Sequence, residues 1–352
     1  MTTLITGGAG FVGSNLAHRL LSHGERVRIL DDLSRDRVDE NVAWLRREHG
    51  DEFELVVGDV RDAAAVQRAV AGASHVFHLA AQVAVTTSLV DPVRDFDVNA
   101  RGTLVVLEAA RAVRPAPWVL YTSTNKVYGA CADVALAVEG SRYVPCDPTY
   151  RAEGVGETRP LDFHSPYGCA KGAADQYVLD WARSFGLPTC VFRMSCIYGP
   201  RQFGTEDQGW VAHFAFQALR GDSITVFGDG RQVRDILFID DLVDAMMQAR
   251  AAAPRVAGEA FNVGGGGERA VSLLDVVGRL DAIQRRRHRV DFEPWRVGDQ
   301  RWYVSDTRKL RKLLDWRPRV SVETGIERLC AWAASQTDGA GSEPGHLREA
   351  SA

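Results

Sequence analysis

Seven residues near the start of the chain, Gly7-Gly-Ala-Gly10-Phe-Val-Gly13, limit the fold more than any other feature. They lie between a short apolar run, Thr3–Thr6, and an amphipathic stretch, Phe11–Ser22, so a strand must pass through a turn poor in side chains straight into a helix. In such a turn bare backbone approaches a pyrophosphate closely, and the first helical N–H groups, of Phe11, Val12 and Gly13, meet it. Asp31 ends the next predicted strand, with Asp32, Ser34 and Arg35 beside it. A carboxylate there accepts hydrogen bonds from both ribose hydroxyls and repels a 2′-phosphate, which favours NAD over NADP. Arg35 argues the other way, since a guanidinium accommodates that phosphate.

The same alternation continues. Predicted strands at Thr3–Thr6, Arg26–Leu30, Phe53–Val57, His75–Leu79, Trp118–Thr122 and Thr189–Arg193 alternate with helical patterns at Phe11–Ser22, Val38–Glu48, Ala63–Val70, Val93–Val113 and Tyr167–Phe185. This order reads as an α/β fold, a doubly wound parallel (Rossmann) sheet with a smaller interleaved C-terminal α/β substrate lobe. The expected division is 1–194 for the cofactor domain, with 233–265 returning to it, and 195–232 plus 266–336 for the second lobe. Shorter elements are expected in the later part at Val211–Leu219, Ile236–Ile239, Leu242–Ala252 and Leu273–Leu280. The connection Ala130–Phe163 is long enough to cover part of a site. Residues 337–352, rich in Gly, Ser, Glu and Pro, read as a flexible tail.

Composition excludes several functions. With 42 basic against 46 acidic residues and a net charge of −4, the chain has no electrostatic footprint for nucleic acid. No run approaches the 18 apolar residues of a membrane span, and the N-terminus lacks a basic leader, so a soluble cytoplasmic protein is expected. The six cysteines show no Cys-x-x-Cys spacing and read as thiols, and no His/Cys pattern indicates a metal. Only four of the basic residues are lysines, Lys126, Lys171, Lys309 and Lys312, so each marks a place where a compact, tunable ammonium is wanted.

Gly58-Asp59-Val60 and Leu79-Ala80-Ala81 follow predicted strands at the end where such sheets bind ligands. Thr122-Ser-Thr124 follows another. Tyr167 and Lys171 share one helix face at i, i+4, where an ammonium beside a phenol would lower the phenol's pKa and make Tyr167 a base for a sugar hydroxyl held by Thr124.

In these residues the chain, from about Thr3 to Ser335, resembles the extended short-chain dehydrogenases that act on nucleotide sugars. The resemblance implies a tightly bound NAD+, a catalytic set of Thr124, Tyr167 and Lys171, and a C-terminal lobe that grips a nucleoside diphosphate. Cofactor contacts would fall to Gly7, Gly10, Phe11, Val12, Gly13, Asp31, Asp32, Ser34, Arg35, Asp59, Val60, Leu79, Ala80, Ala81, Gln82, Asn99 and Thr122, with Tyr167 and Lys171. Where 4,6-dehydratases of the family carry an Asp-Glu pair after the Thr, this chain has Asn125-Lys126, which removes the acid and base for eliminating water.

The strings Thr122-Ser-Thr-Asn-Lys-Val-Tyr-Gly129, Leu161-Asp-Phe-His-Ser-Pro-Tyr167, Gly199-Pro-Arg-Gln-Phe-Gly and Gln82-Val-Ala-Val-Thr-Thr-Ser88 are similar to the CDP-paratose 2-epimerase (CDP-tyvelose epimerase) subfamily, with a departure at Ala130–Glu139. That resemblance implies a CDP-sugar substrate, oxidation at C2, rotation of a 2-keto sugar and re-reduction. Substrate contacts would fall to Thr86, Thr124, Asn125, Lys126, Ser195, Arg201, Gln202, Gln208, Gly209, Trp210, Arg234 and Arg301. C3 oxidation with proton exchange at C2, C4 epimerisation of a UDP-sugar, and a non-catalytic NAD-binding role stay open. A homodimer or homotetramer, formed through the Val93–Val113 and Tyr167–Phe185 helices, is expected.

Overall fold

The computed structural model describes residues 1–338. Strands β1 (Thr2–Thr6), β2 (Arg26–Asp31), β3 (Phe53–Val57), β4 (Ala73–His78) and β5 (Trp118–Thr124) alternate with helices α1 (Phe11–Ser22), α2 (Val38–His49), α3 (Ala63–Val70), α4 (Val85–Val90), α5 (Pro92–Phe96) and α6 (Gly102–Ala112). A hairpin, β6 (Leu136–Glu139) and β7 (Arg142–Pro145), and helix α7 (Pro148–Glu153) occupy the long connection before α8 (Ser165–Phe185) and β8 (Thr189–Met194). Then follow β9 (Cys196–Tyr198), α9 (Trp210–Arg220), β10 (Ile224–Phe227), β11 (Val233–Phe238), α10 (Ile239–Ala251), α11 (Ala253–Val256), β12 (Glu259–Val263) and β13 (Ala270–Ser272). The last elements are α12 (Leu273–Gln284), β14 (Val290–Glu293), β15 (Trp302–Tyr303), α13 (Arg308–Leu314) and α14 (Val322–Asp338).

Seven strands form the central sheet in the order β12-β8-β5-β4-β1-β2-β3, all parallel. It is the doubly wound sheet that the alternating pattern predicts. Helices cover both faces, so every residue of β5 is buried, Ser123 and Thr124 included. The order reverses between β1 and β4, and the C-terminal ends of those strands form the crevice where an open α/β sheet takes its ligand.

The second lobe is built on β13-β11-β15, with β9 also pairing β11, and on the parallel pair β10-β14. Residues 233–265 therefore divide: β11 lies in the small sheet, whereas β12 closes the edge of the central one. The β6–β7 hairpin leaves from and returns to the cofactor side but packs on the second lobe. Tyr143 donates to Asp229 at 2.7 Å, Ser141 donates to Asp275 at 2.6 Å, and Arg142 pairs with Asp275. Of the tail expected at 337–352, residues 337–338 end α14 and the rest lies outside the described residues.

One helix differs from its sequence pattern. The apolar periodicity of Val93–Val113 runs through a break: Asp91 caps α5 by accepting from the Arg94 amide at 2.9 Å, Pro92 follows, and Asp97–Arg101 forms a π turn before α6. The Thr103 hydroxyl takes the Asn99 carbonyl at 2.7 Å within this distortion.

Candidate active site

The cradle at β1 is closed by contact. Gly7 has φ of +69°, and a Cβ there would stand 2.6 Å from the Ala80 amide nitrogen. A Cβ on Gly13 would meet the Gly7 carbonyl oxygen at 2.3 Å, so the turn can hold only glycine at both positions. Gly10 is the N-cap of α1, with no side chain to satisfy the amides of Phe11, Val12 and Gly13, and no acidic residue stands in the first turn. These features fit a dinucleotide's pyrophosphate.

Asp31 leans on the same turn, accepting from the Ala9 and Leu33 amides at 3.0 Å each. Burial, with the nearby Asp32 charge, raises its pKa above the usual carboxylate range. Asp32 accepts from the Ser34 amide and hydroxyl. Arg35 reaches the second lobe and donates to Gln208 at 2.6 Å, so a residue assigned to the cofactor holds one assigned to the substrate. Asp59 is gripped by Arg61, whose guanidinium holds its carboxyl below the usual range, and Val60 packs on Gly102. The Leu79 and Ala80 amides bond to Thr6, fixing the start of the Leu79–Gln82 segment against the glycine turn. Gln82 folds back onto Ala84, and its carbonyl accepts from Asn99.

Thr124 ends β5 and caps the 3-10 turn Asn125–Tyr128, accepting from the Lys126 amide at 3.3 Å. Its hydroxyl also stands beside the Tyr167 phenol and favours the phenolate. Helix α8 carries Tyr167 and Lys171 there because its other contacts are small: Gly168 faces the Lys126 backbone, and a Cβ on Gly172 would lie 2.3 Å from the Phe163 ring. Lys171 is 3% exposed, donates to the Thr122 carbonyl at 2.6 Å and sits 4.2 Å from the centroid of the Tyr121 ring. Burial pushes the Tyr167 phenol up to about 12 and the Lys171 ammonium down to about 7. The lowered phenol pKa that the i, i+4 spacing suggests is thus absent from this structure: both groups are desolvated, and the ammonium is drawn to Thr122.

On the other side of Thr124 stand two cations without carboxylate partners among the described residues. Arg234 is 7% exposed, and its guanidinium donates to the Val233 and Gln300 carbonyls at 2.8 and 2.6 Å. Lys126 reaches only the Gly298 carbonyl and the Gln300 side-chain oxygen, both at 3.4 Å. Gln300 is the hub: it also accepts from Asn125 and donates to the Gly129 carbonyl at 2.6 Å, bridging the lobes. Arg301 lies over Tyr143 and Trp295, at 5.8 and 5.6 Å.

Other residues expected at the substrate are engaged elsewhere. Ser195 donates to the buried Asp235 carboxylate at 2.5 Å. Arg201 lies 4.0 Å over the buried Trp44 of α2 and 6.0 Å from Trp332 of α14, and its carbonyl accepts from Asn41. Gln202 is buried against the Ile197 carbonyl, Gly209 turns into α9 beside it, and Trp210 packs on Phe214. Thr86, half-buried in α4, is the exception: its hydroxyl oxygen is enclosed without a hydrogen-bond partner. Sequence reading missed Gln300, although it adjoins Arg301 in Gly298-Asp-Gln-Arg. It also missed Asp95, a fully buried carboxyl that accepts from Asn99 and is pushed up to about 6 by burial. No cluster of three metal-ligating side chains occurs among the described residues, and none of their helices is long and apolar enough to cross a membrane.

Comparison with known proteins covers nearly the whole chain. The family described as GDP-mannose 4,6 dehydratase matches residues 4–329. A CDP-paratose 2-epimerase of Salmonella typhi is 42% identical over 342 residues, 95% of this chain and 100% of that protein. Among solved structures, a UDP-glucose 4-epimerase of Thermotoga maritima with UDP-glucose superposes with a TM-score of 0.82 at 31% identity, covering 96% of this chain and 100% of its own. A UDP-glucose 4-epimerase of Thermus thermophilus in complex with NAD gives a TM-score of 0.79 at 31% identity, covering 95% and 99%.

Proposed function

The chain belongs to the GDP-mannose 4,6-dehydratase family of extended short-chain dehydrogenases/reductases, and we propose that within it this protein inverts C2 of a CDP-sugar, using tightly bound NAD. The carrying observation is the placement of the Thr124–Tyr167 pair between a glycine cradle and two cations that form no ion pair with a carboxylate among the described residues, the buried Arg234 and the half-buried Lys126. A diphosphate supplies the missing charge. No carboxylate follows Thr124 to act as a dehydratase acid, which turns the reading from dehydration to epimerisation. The cofactor lobe in this reading is residues 1–194 with the β12 segment.

NAD, when bound, supplies the hydride acceptor that later returns the hydride to the same carbon. Gly7, Gly10 and Gly13 would hold its pyrophosphate and Asp31 its adenosine ribose. Thr124 would hold the C2 hydroxyl, and Tyr167 would take its proton and give it back once the keto sugar has turned over. Lys171, charged, would draw the phenol down from its high pKa. Oxidation at C3 is the poorer route, because a carbanion at C2 lies beta to the C1–phosphate bond and would expel the nucleoside diphosphate.

The solved UDP-glucose 4-epimerases support a second reading, inversion of C4 of a UDP-sugar by the same residues. Proton NMR in D2O, with the protein as purified and CDP-paratose, CDP-glucose, UDP-glucose and UDP-galactose, separates the two. Inversion at C2 without deuterium uptake is expected. Tyr167→Phe should retain NAD and lose at least about 10³-fold in rate. Inversion at C4 alone would sink the C2 assignment.

Copies of the chain are expected to pair through α4, α5 and α8, where Leu89, Val90, Val93, Phe96, Tyr177 and Phe185 leave an apolar strip exposed. Sedimentation of Phe96→Asp should then give monomers; an unchanged mass would discard that face. The six free thiols agree with a cytoplasmic protein.

A further inference from the structure

We propose that Lys126 is a specificity-determining residue, a cation that neutralises the sugar-linked phosphate beside the reacting C2 hydroxyl and so makes oxidation next to the anomeric carbon possible. The proposal deepens the C2 reading and rests on it. Lys126 stands two residues beyond Thr124 on the same 3-10 turn, and its ammonium crosses to the second lobe, where Gly298 and Gln300 offer only neutral oxygens. Gln300 also holds Arg234, so the two cations meet one residue, Lys126 at its side-chain oxygen and Arg234 at its backbone carbonyl.

Their neighbours do not neutralise them. The charged and titratable groups that face Lys126 are Arg234 on β11, Asp299 before β15, Cys196 on β9 and Cys131 beyond the 3-10 turn. Burial and Arg234 outweigh the rest and push the ammonium down to about 8. A buried guanidinium and a half-buried ammonium that face each other repel, a cost that an anion would remove.

The need for this cation depends on which carbon reacts. An oxygen on C2 is vicinal to the anomeric oxygen that carries phosphate, so negative charge developing on it as Tyr167 takes the proton meets the phosphate charge at short range. An oxygen on C4 lies across the ring and meets far less. A fixed ammonium between Thr124 and the diphosphate offsets that repulsion where it is greatest, and its stabilisation grows as charge develops.

Two measurements on the NAD-loaded protein test the role. First, Lys126→Met should keep its NAD and its circular dichroism but lose about 10²-fold in kcat for C2 inversion, with a much smaller change in KM. Second, calorimetry of CDP binding at pH 8 in two buffers of different ionisation enthalpy should show proton uptake by the wild type, because an anion raises the Lys126 pKa, and less uptake by Lys126→Met. Wild-type inversion at C2 with a kcat of Lys126→Met within about threefold, or equal proton uptake by the two proteins, overturns the role of Lys126 alone. Wild-type action only at C4 overturns both this proposal and the reading beneath it.

Discussion

Two buried arginines, one in the central sheet and one in the β13-β11-β15 sheet of the second lobe, differ in whether a carboxylate meets them. Arg193 on β8 is 4% exposed and makes a two-pronged contact with Asp175 of α8, both bonds at 2.9 Å. It also donates to the Tyr128 hydroxyl, which in turn donates to Asn262 on β12. Its charge is cancelled, and four elements are joined. Arg234 on β11 is almost as deeply buried, yet its partners are two peptide carbonyls, which fix the guanidinium without neutralising it. Burial is common to both, and the presence or absence of a counter-charge separates the structural joint from the residue proposed to meet a diphosphate.

Removing the counter-charge from the first region should have the largest effect. Asp175→Asn leaves Arg193 buried and uncompensated, and urea unfolding should record a loss of about 3–5 kcal/mol, with CDP affinity of the folded protein nearly unchanged. A loss below about 1 kcal/mol would erase the distinction. The second region should answer in the opposite sense and more weakly. Arg234→Met should leave stability within about 1 kcal/mol while CDP binding, read by calorimetry, weakens by about 1.5–3 kcal/mol. Undiminished CDP affinity would place the diphosphate elsewhere.

The same contrast governs what could be read from the chain. The β1–α1 turn was legible because everything that shapes it, from Gly7 to Asp31, lies within one βαβ stretch and leaves a local signature. Tyr167 and Lys171 were legible through helical spacing. The start of β5 at Trp118 was legible too, but its last two residues were not, since Ser123 and Thr124 look like loop residues until helices cover both faces of the strand. The Val93–Val113 pattern hid a break because apolar periodicity carries through a π turn. Gln300 was invisible for a stronger reason: its partners Asn125, Lys126 and Gly129 lie more than 170 residues away, and no spacing rule reaches that far. Ser195 and Arg201 were placed at the substrate by likeness alone, and only packing shows the first tied to Asp235 and the second lying on Trp44.

The hairpin pinned by Tyr143, Ser141 and Arg142 has a mechanical consequence. Its stem rises from the cofactor side and its tip is fastened to the second lobe, so the segment is a tie bar between them. Prying the halves apart loads those three bonds in tension together with the Gln300 and Arg35 contacts that also cross between the lobes. A variant that cuts the tie should therefore exchange its ligand faster.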